Sequence, residues 1–401
     1  MKYIVVLGDG MADYKRGPLG ENTPLELAKK PNMDELARLG TVGLIRTVDE
    51  GMKPGSDVAN LSVIGYDPKV CYTGRSPLEA LSIGVPFTFD DTVFRVNLVT
   101  LGDSEDGSFG KMKMLDYSAG EISTEEGHEL MQAVEAALGD DKISFYGGTS
   151  YRNCAVLKNA ACAADFTPPH DIPGRVIQDY LPKGENAAFY ADLIRRSMAV
   201  LKDHPVNQSR VAAGKNPATA IWFWGKGTKP QLEDFRKKYG LKGAMISAVD
   251  LLKGIAKGAN MDVIEVEGAT GTLSSNFVGK AQACLQALDD HDYVYVHMEA
   301  PDECGHQGDA QGKIRAVEKV DEVLGIIRDG LEKRGEDYRI AVLPDHATPL
   351  VVRTHTSEPV PYILYFSDRA GNGGLPYTEE GAIGGKYLPT GRDLIKTMLE
   401  K

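Results

Sequence analysis

Apolar runs of four to seven residues recur along the chain and stop at polar or glycine-containing turns. Tyr3–Leu7, Ala220–Trp224, Ala244–Ser247, Asp262–Val266, Tyr293–Met298, Ile340–Leu343 and Tyr362–Phe366 are rich in Val, Ile, Tyr, Phe and Trp, the residues that favour strands. Longer stretches between and after them carry helical signals: Pro230–Tyr239, Val249–Lys257, Asn276–Leu288, Lys313–Lys333 and Arg392–Glu400. Continuous apolar strands alternating with helices predict an α/β fold, a mostly parallel sheet covered on both faces. Ligands of such sheets gather at the carboxyl ends of strands. Asp9, Asp302 and Asp345 each follow one of these strand ends.

The middle of the chain has another rhythm. Val93–Leu101 and Lys111–Leu115 flank a Gly/Asp/Ser turn, and Ser123-Thr124-Glu125-Glu126 opens a helix with a capping box. Short strands are expected near Ile143–Tyr146 and Cys154–Leu157. A proline-rich loop, Thr167–Gly174, and a helix near Asn186–Leu201 follow. This reads as a smaller α+β domain inserted into the larger one. Hinges at Gly84–Asp91 and Asp203–Pro217 predict an insert over 87–215, with 1–86 and 216–401 forming one discontinuous domain.

At 401 residues the chain has room for two domains, and 42% hydrophobic with 25% charged residues is ordinary for a globular protein. A net charge of −12 argues against a nucleic-acid binder, which would carry a basic stripe. No apolar stretch approaches the roughly 18 residues of a membrane span. The opening MKYIVVLGDG reads as a first strand, not a secretory leader. Five scattered cysteines without CxxC pairing fit reduced thiols in a cytoplasm. The expected partner is a small phosphorylated metabolite, and the oligomeric state stays open.

Candidate chemistry sits in five short segments: Gly8-Asp9-Gly10, Pro54-Gly55-Ser56-Asp57, Asp302 and His306 in APDECGH, Asp345-His346 in LPDH, and His355 in RTHTSEP. Singly, each has a plain reading as a turn, a helix start or a surface histidine. Together they supply three carboxylates, three imidazoles and one hydroxyl. Mixed oxygen and nitrogen donors suit Mn²⁺ and Zn²⁺. Three carboxylates and a deprotonated serine would balance two divalent ions. Two ions about 4 Å apart stabilise the entering and leaving oxygens of a phosphoryl displacement. Ser56 precedes a predicted helix over Asp57–Ile64, where backbone N–H groups favour a phosphoryl group. Asn60, one turn on, is a candidate donor to the same phosphate. His128, His170, His204, His291 and His297 lack this acid context and are expected to be structural, with His170-Asp171 the exception to watch.

In order, these segments resemble the alkaline phosphatase superfamily, and within it the cofactor-independent phosphoglycerate mutases of archaeal type. The resemblance is carried by Leu7–Asp13, Lys53–Pro68, Tyr72–Ala80, Gly240–Ile255, His297–Asp309 and Leu343–Pro349. It implies an alkaline phosphatase-like three-layer sandwich with the smaller inserted domain closing over the site. It implies one metal held by Asp9, Ser56, Asp345 and His346 and a second held by Asp302, His306 and His355. Ser56 would be the transiently phosphorylated nucleophile. The reaction implied is interconversion of 2- and 3-phosphoglycerate in glycolysis without 2,3-bisphosphoglycerate, Mn²⁺ being the expected metal and Zn²⁺, Co²⁺ and Mg²⁺ its alternatives.

One stretch departs from the family pattern. An Asp-Arg-Arg-Ala-Gly-Arg run in the inserted domain is here Asp116-Tyr117-Ser118-Ala119-Gly120-Glu121. Guanidinium forks bind carboxylate and phosphate in bidentate fashion, so their loss disfavours a substrate with anions at both ends. The departure resembles a branch proposed to act as homoserine kinases, which makes that phosphotransfer, in threonine biosynthesis, the alternative. A metal-dependent phosphatase is a further one. Asn60, Arg75, Arg95, Arg152, Lys226 and Lys242, with Arg195, are the candidate substrate contacts.

Overall fold

The computed structural model describes residues 1–369, 371 and 373–400. The chain divides into two compact units, Met1–Tyr72 with Gln231–Lys401, and Thr73–Pro230.

The larger unit is built on eight strands in the order Lys386–Leu388, Thr41–Ile45, Val360–Phe366, Tyr338–Leu343, Lys2–Gly8, Tyr293–Met298, Gly243–Ile246, Asp262–Val263. Only Val360–Phe366 runs against the rest, pairing antiparallel with both neighbours. Alternate residues serve opposite faces, as the pleat requires. Ile4, Val6, Val294, Val296, Ile340 and Val342 share a core with helices Pro31–Leu39, Phe277–Ala287 and Ala310–Arg334. On the other face, Tyr293 packs on Phe235 with ring centres 4.9 Å apart, and the Tyr295 hydroxyl reaches Asn60 in helix Ser56–Ile64. Both faces are covered by helices, giving the three layers of the expected α/β fold.

Several elements differ from their sequence expectation. The helix expected over Pro230–Tyr239 is confined to Phe235–Tyr239, capped by Asp234. The strand expected over Asp262–Val266 has two residues. Two short strands were not expected, Thr41–Ile45 and, at the sheet edge, Lys386–Leu388, and they pair with each other. Gly43 permits that pairing, because a Cβ there would sit 2.0 Å from the Lys386 carbonyl oxygen.

The smaller unit is an antiparallel sheet flanked by helices. Its central strand, Thr92–Gly102, pairs along one side with Ala220–Thr228. Its other side pairs with Arg152–Leu157 and then Lys113–Asp116, and Ile143–Thr149 completes the sheet. Helix Thr124–Leu138 starts at the expected capping box of Ser123 and Glu126. It shares the core with Tyr190, Leu193 and Ile194 of helix Ala187–Leu201. Ala220–Thr228 thus belongs to this sheet and not to the large parallel one. The unit is also wider than the predicted 87–215. Helix Arg75–Ser82 lies within it, bound through Glu79 to Arg95 of the central strand.

Candidate active site

The site lies within the larger unit, at the carboxyl ends of three parallel strands. Asp9 follows Lys2–Gly8, and its backbone N–H bonds the Met298 carbonyl at the end of the neighbouring strand (2.9 Å). Gly10 then turns at φ +61° and donates its N–H to Asp345 Oδ1 (3.1 Å). Only glycine fits there: a Cβ would stand 2.5 Å from both Asp302 Oδ1 and Thr348 Oγ1. Asp345 follows Tyr338–Leu343 and also accepts the His346 N–H (3.0 Å). Asp302 sits in the first turn of helix Ala300–Gln307, placing His306 one turn later on the same face. Ser56 opens helix Ser56–Ile64, as expected.

These segments bring the seven predicted ligands together. Ser56 Oγ lies 3.1 Å from His346 Nε2 and 3.4 Å from Asp9 Oδ2. His346 Nε2 is 3.5 Å from Asp9 Oδ1 and 3.4 Å from Asp345 Oδ2. Asp302 Oδ2 is 3.1 Å from His306 Nε2, and Asp302 Oδ1 is 3.6 Å from His355 Nε2. His306 and His355 face each other at 3.0 Å between their Nε2 atoms. Asp9, Asp345 and His346 form one set of convergent donors, and Asp302, His346 and His355 another. His346 therefore belongs to both, where the resemblance implied only the first. His306 joins the second set through Asp302 and His355.

Charge in this cluster is unbalanced without cations. Burial, with Asp345 beside it, pushes the Asp9 carboxyl well above the usual carboxylate range. Asp9 Oδ1 is buried and has no hydrogen-bond partner. Hydrogen bonds from His306 and His355 outweigh burial at Asp302 and hold its carboxyl well below that range. The bond to Asp302 raises His306 to about 9. Burial lowers His346. An orphaned carboxylate oxygen among crowded acids, with imidazole nitrogens converging on them, fits divalent cations.

Asn60 is fully buried, and its amide hydrogens go to the Ser56 carbonyl and Asp345 Oδ2, both at 2.8 Å. Its donors are consumed inside the protein, so it positions other groups and has none for a phosphate. Lys242 also needs correcting. It precedes strand Gly243–Ile246, beside Tyr293 at the amino end of its neighbour, and its ammonium is neutralised by Asp290 and Asp262. That is the end of the sheet opposite the ligands. His297, expected to be structural, donates to the site: its Nε2 is 2.9 Å from Asp9 Oδ2.

The remaining candidates lie in the smaller unit. Arg95, Asn97, Tyr117, Tyr151, Arg152, His170 and Trp224 line a cavity of about 290 Å³. Arg95 forks onto Glu79 (2.6 and 2.7 Å) and stacks over Trp224. Arg152 lies over Tyr151. Arg75 pairs with Glu79 at 3.4 Å. Lys226 is spent on the Cys162 and Ala164 carbonyls, and Arg195 on Asp192. In the departing loop, Asp116 accepts from Ser118 and Gly120, and Asn97 holds the Tyr117 carbonyl (2.9 Å). The Tyr117 ring meets Tyr151 and His170 edge-on. Three aromatic rings and two arginines thus share the cavity, with His170 among them.

A serine at a helix start beside convergent carboxylates and imidazoles defines a metal-dependent phosphoryl-transfer protein. Residues 37–207 match the family model described as 2,3-bisphosphoglycerate-independent phosphoglycerate mutase, and residues 179–361 match that of type I phosphodiesterase / nucleotide pyrophosphatase. A protein of Geobacter sulfurreducens named probable 2,3-bisphosphoglycerate-independent phosphoglycerate mutase is 50% identical over the whole of both chains. The mutase so named from Methanothrix thermoacetophila is 48% identical, again over both full lengths. The solved cofactor-independent phosphoglycerate mutase of Thermoplasma acidophilum is 26% identical with a TM-score of 0.69, covering 100% of this chain and 99% of that one. The chain belongs to the family of 2,3-bisphosphoglycerate-independent phosphoglycerate mutases. That family, with this donor set, implies divalent metals.

Proposed function

We propose that this protein interconverts 2- and 3-phosphoglycerate without 2,3-bisphosphoglycerate, through a phosphoserine at Ser56, as a cytoplasmic enzyme using Mn²⁺. The observation that carries this reading is the place of Ser56 Oγ, 3.1 Å from His346 Nε2 at the start of a nine-residue helix and within the ligand cluster. Asp9, Asp345, His346 and Ser56 would hold one ion, and Asp302, His306 and His355 the other, with His346 within reach of both. When bound, the two ions lower the pKa of the serine hydroxyl and polarise the phosphoryl oxygens.

Ser56 Oγ gives up its proton and attacks phosphorus. The bond from phosphorus to the substrate oxygen breaks, and that oxygen takes up a proton to become a hydroxyl. The helix start favours the phosphoryl group now on Ser56, chiefly through the Asp57 N–H, because the Val58 N–H is taken by Asp57 Oδ1 (2.9 Å). The glycerate reorients, its other hydroxyl attacks the phosphoserine and loses its proton, and Ser56 is restored. Recognition of the acid falls to Arg152 of the smaller unit as guanidinium donor for a carboxylate, since the fork of Arg95 is already engaged by Glu79.

Tyr117 favours a second reading. It lines that cavity at a position where the family resemblance implies arginine, leaving fewer donors for a doubly anionic substrate. An acceptor such as homoserine, with ATP as phosphoryl donor, suits this composition. Brief reaction with labelled 3-phosphoglycerate, acid quench and peptide mass spectrometry distinguishes the two. The mutase reading expects phosphate on Ser56 from phosphoglycerate alone. Labelling from ATP but not from phosphoglycerate would replace it with the second.

A further inference from the structure

Strand Tyr293–Met298 does more than carry Asp302 at its end. Tyr295 and His297 are two residues apart and so project to one face of the sheet. His297 meets the Asp9 carboxylate directly, and Tyr295 acts on the Asp345 carboxylate through Asn60.

His297 is fully buried. As a metal ligand Asp9 is ionised and can only accept, so the hydrogen in the 2.9 Å contact then belongs to His297 Nε2. Its Nδ1 then presents a lone pair to Ser247 Oγ at 3.2 Å. Ser247 Oγ accepts the Val249 N–H at 3.0 Å, which leaves its own hydrogen for the imidazole. The relay from Val249 through Ser247 and His297 therefore has one consistent direction, and it ends on Asp9 Oδ2. The other oxygen, Oδ1, is the orphaned atom that faces His346.

Tyr295 acts from two residues further back. Its hydroxyl donates to Asn60 Oδ1 at 2.6 Å. That contact fixes which way the amide points, so Nδ2 carries both hydrogens to Ser56 O and Asp345 Oδ2. Asp302, by contrast, is held by the Thr348 hydroxyl and His306, with no partner from this strand.

We infer that Tyr295 and His297 are positioning residues, which aim the Asp9 and Asp345 carboxylates and so set the metal affinity of the Asp9–Asp345–His346 arm alone. Partners behind a metal ligand are typically worth about 10–100-fold in metal affinity. The inference rests on the metal-site reading above.

The test is calorimetric Mn²⁺ titration of the full chain, with thermal melts of the metal-free forms. Wild type is expected to bind two ions. Tyr295→Phe, which removes one oxygen, and His297→Phe should each weaken one of the two sites by about 10–100-fold and leave the other unchanged. His297→Gln, which restores an N–H donor, should recover much of the loss. Equal weakening of both sites with a lowered metal-free melt, or no change at either site in Tyr295→Phe, overturns the inference. If His297→Phe fails to fold, Tyr295→Phe decides alone. Absence of any Mn²⁺ binding by wild type would sink the metal-site reading instead.

Discussion

Ser56 and His346 are 290 residues apart in the chain, yet Ser56 Oγ stands 3.1 Å from His346 Nε2. One opens a helix and the other follows a strand end by three residues. Their meeting joins the proposed nucleophile to the one imidazole shared by both donor sets.

Ser56→Ala should remove turnover while sparing the cation site. Three carboxylates and three imidazoles remain to hold metal, so Mn²⁺ binding should persist with modest weakening. Every phosphoryl-transfer activity should fall by on the order of 10⁴-fold or more, as when a covalent nucleophile is deleted. Parallel calorimetry and steady-state assays check this, and substantial residual turnover would remove Ser56 as nucleophile.

Gly10→Ala should damage the site from behind. The backbone there is left-handed, and the new methyl would press on Asp302 and Thr348. A loss of about 1–3 kcal/mol of stability is expected from strain and overpacking. Urea unfolding measures it, and an unchanged midpoint would mean the three loops are not packed as described.

Above about pH 7 the metal-free protein should lose stability as pH rises; below that, the buried imidazoles of His297 and His346, both lowered from 6.5, contribute stability that grows with pH and oppose the slope. His306 is raised from 6.5 to about 9 in the fold, so its contribution is complete below about pH 6.5 and is lost through pH 9. Asp9, raised from 3.8, acts in the same direction from lower pH upward. Asp302 has a depressed carboxyl, and its contribution is lost only as pH falls below the ordinary carboxylate range. Mn²⁺ competes with the same protons, so its stabilising effect should grow over the window in which the metal-free protein weakens. Melts from pH 6 to 9, with and without Mn²⁺, and with His306→Gln as control, read both slopes.

Substrate recognition should depend on the cavity and not on Lys242. Arg152→Ala is expected to raise KM for phosphoglycerate by roughly tenfold, the worth of one charge-assisted hydrogen bond. Lys242→Ala, whose ammonium is engaged by Asp290 and Asp262, should change neither KM nor kcat.

Replacing Tyr117 and Ser118 by arginine should improve phosphoglycerate kcat/KM, chiefly through KM, by adding donors beside Arg95 and Arg152. Unchanged phosphoglycerate kinetics in Tyr117→Arg/Ser118→Arg would show that this loop does not set substrate choice.

The strand ends were readable because an acid straight after an apolar run is a local signal, and Asp9, Asp302 and Asp345 all lie where that signal pointed. His297 escaped because its partner, Asp9, is 288 residues away. A signal was nonetheless present: a histidine inside the otherwise apolar run YVYVHM must find a hydrogen-bond partner when the strand is buried. Asn60 was correctly placed one turn from Ser56, but its amide is consumed by a carboxylate 285 residues on, which spacing cannot reveal. Lys242 failed on a rule already in hand, since it precedes a strand and ligands gather after strands. Ala220–Thr228 has the same apolar pattern as the parallel strands, and only its pairing with Thr92–Gly102 assigns it to the smaller unit.

The most direct test of the whole account is an enolase-coupled assay of the Mn²⁺-loaded protein with 3-phosphoglycerate and no 2,3-bisphosphoglycerate. The account predicts sustained formation of 2-phosphoglycerate, unaffected by added 2,3-bisphosphoglycerate and absent in Ser56→Ala. No conversion under those conditions, with homoserine phosphorylated from ATP in a parallel reaction, would contradict it.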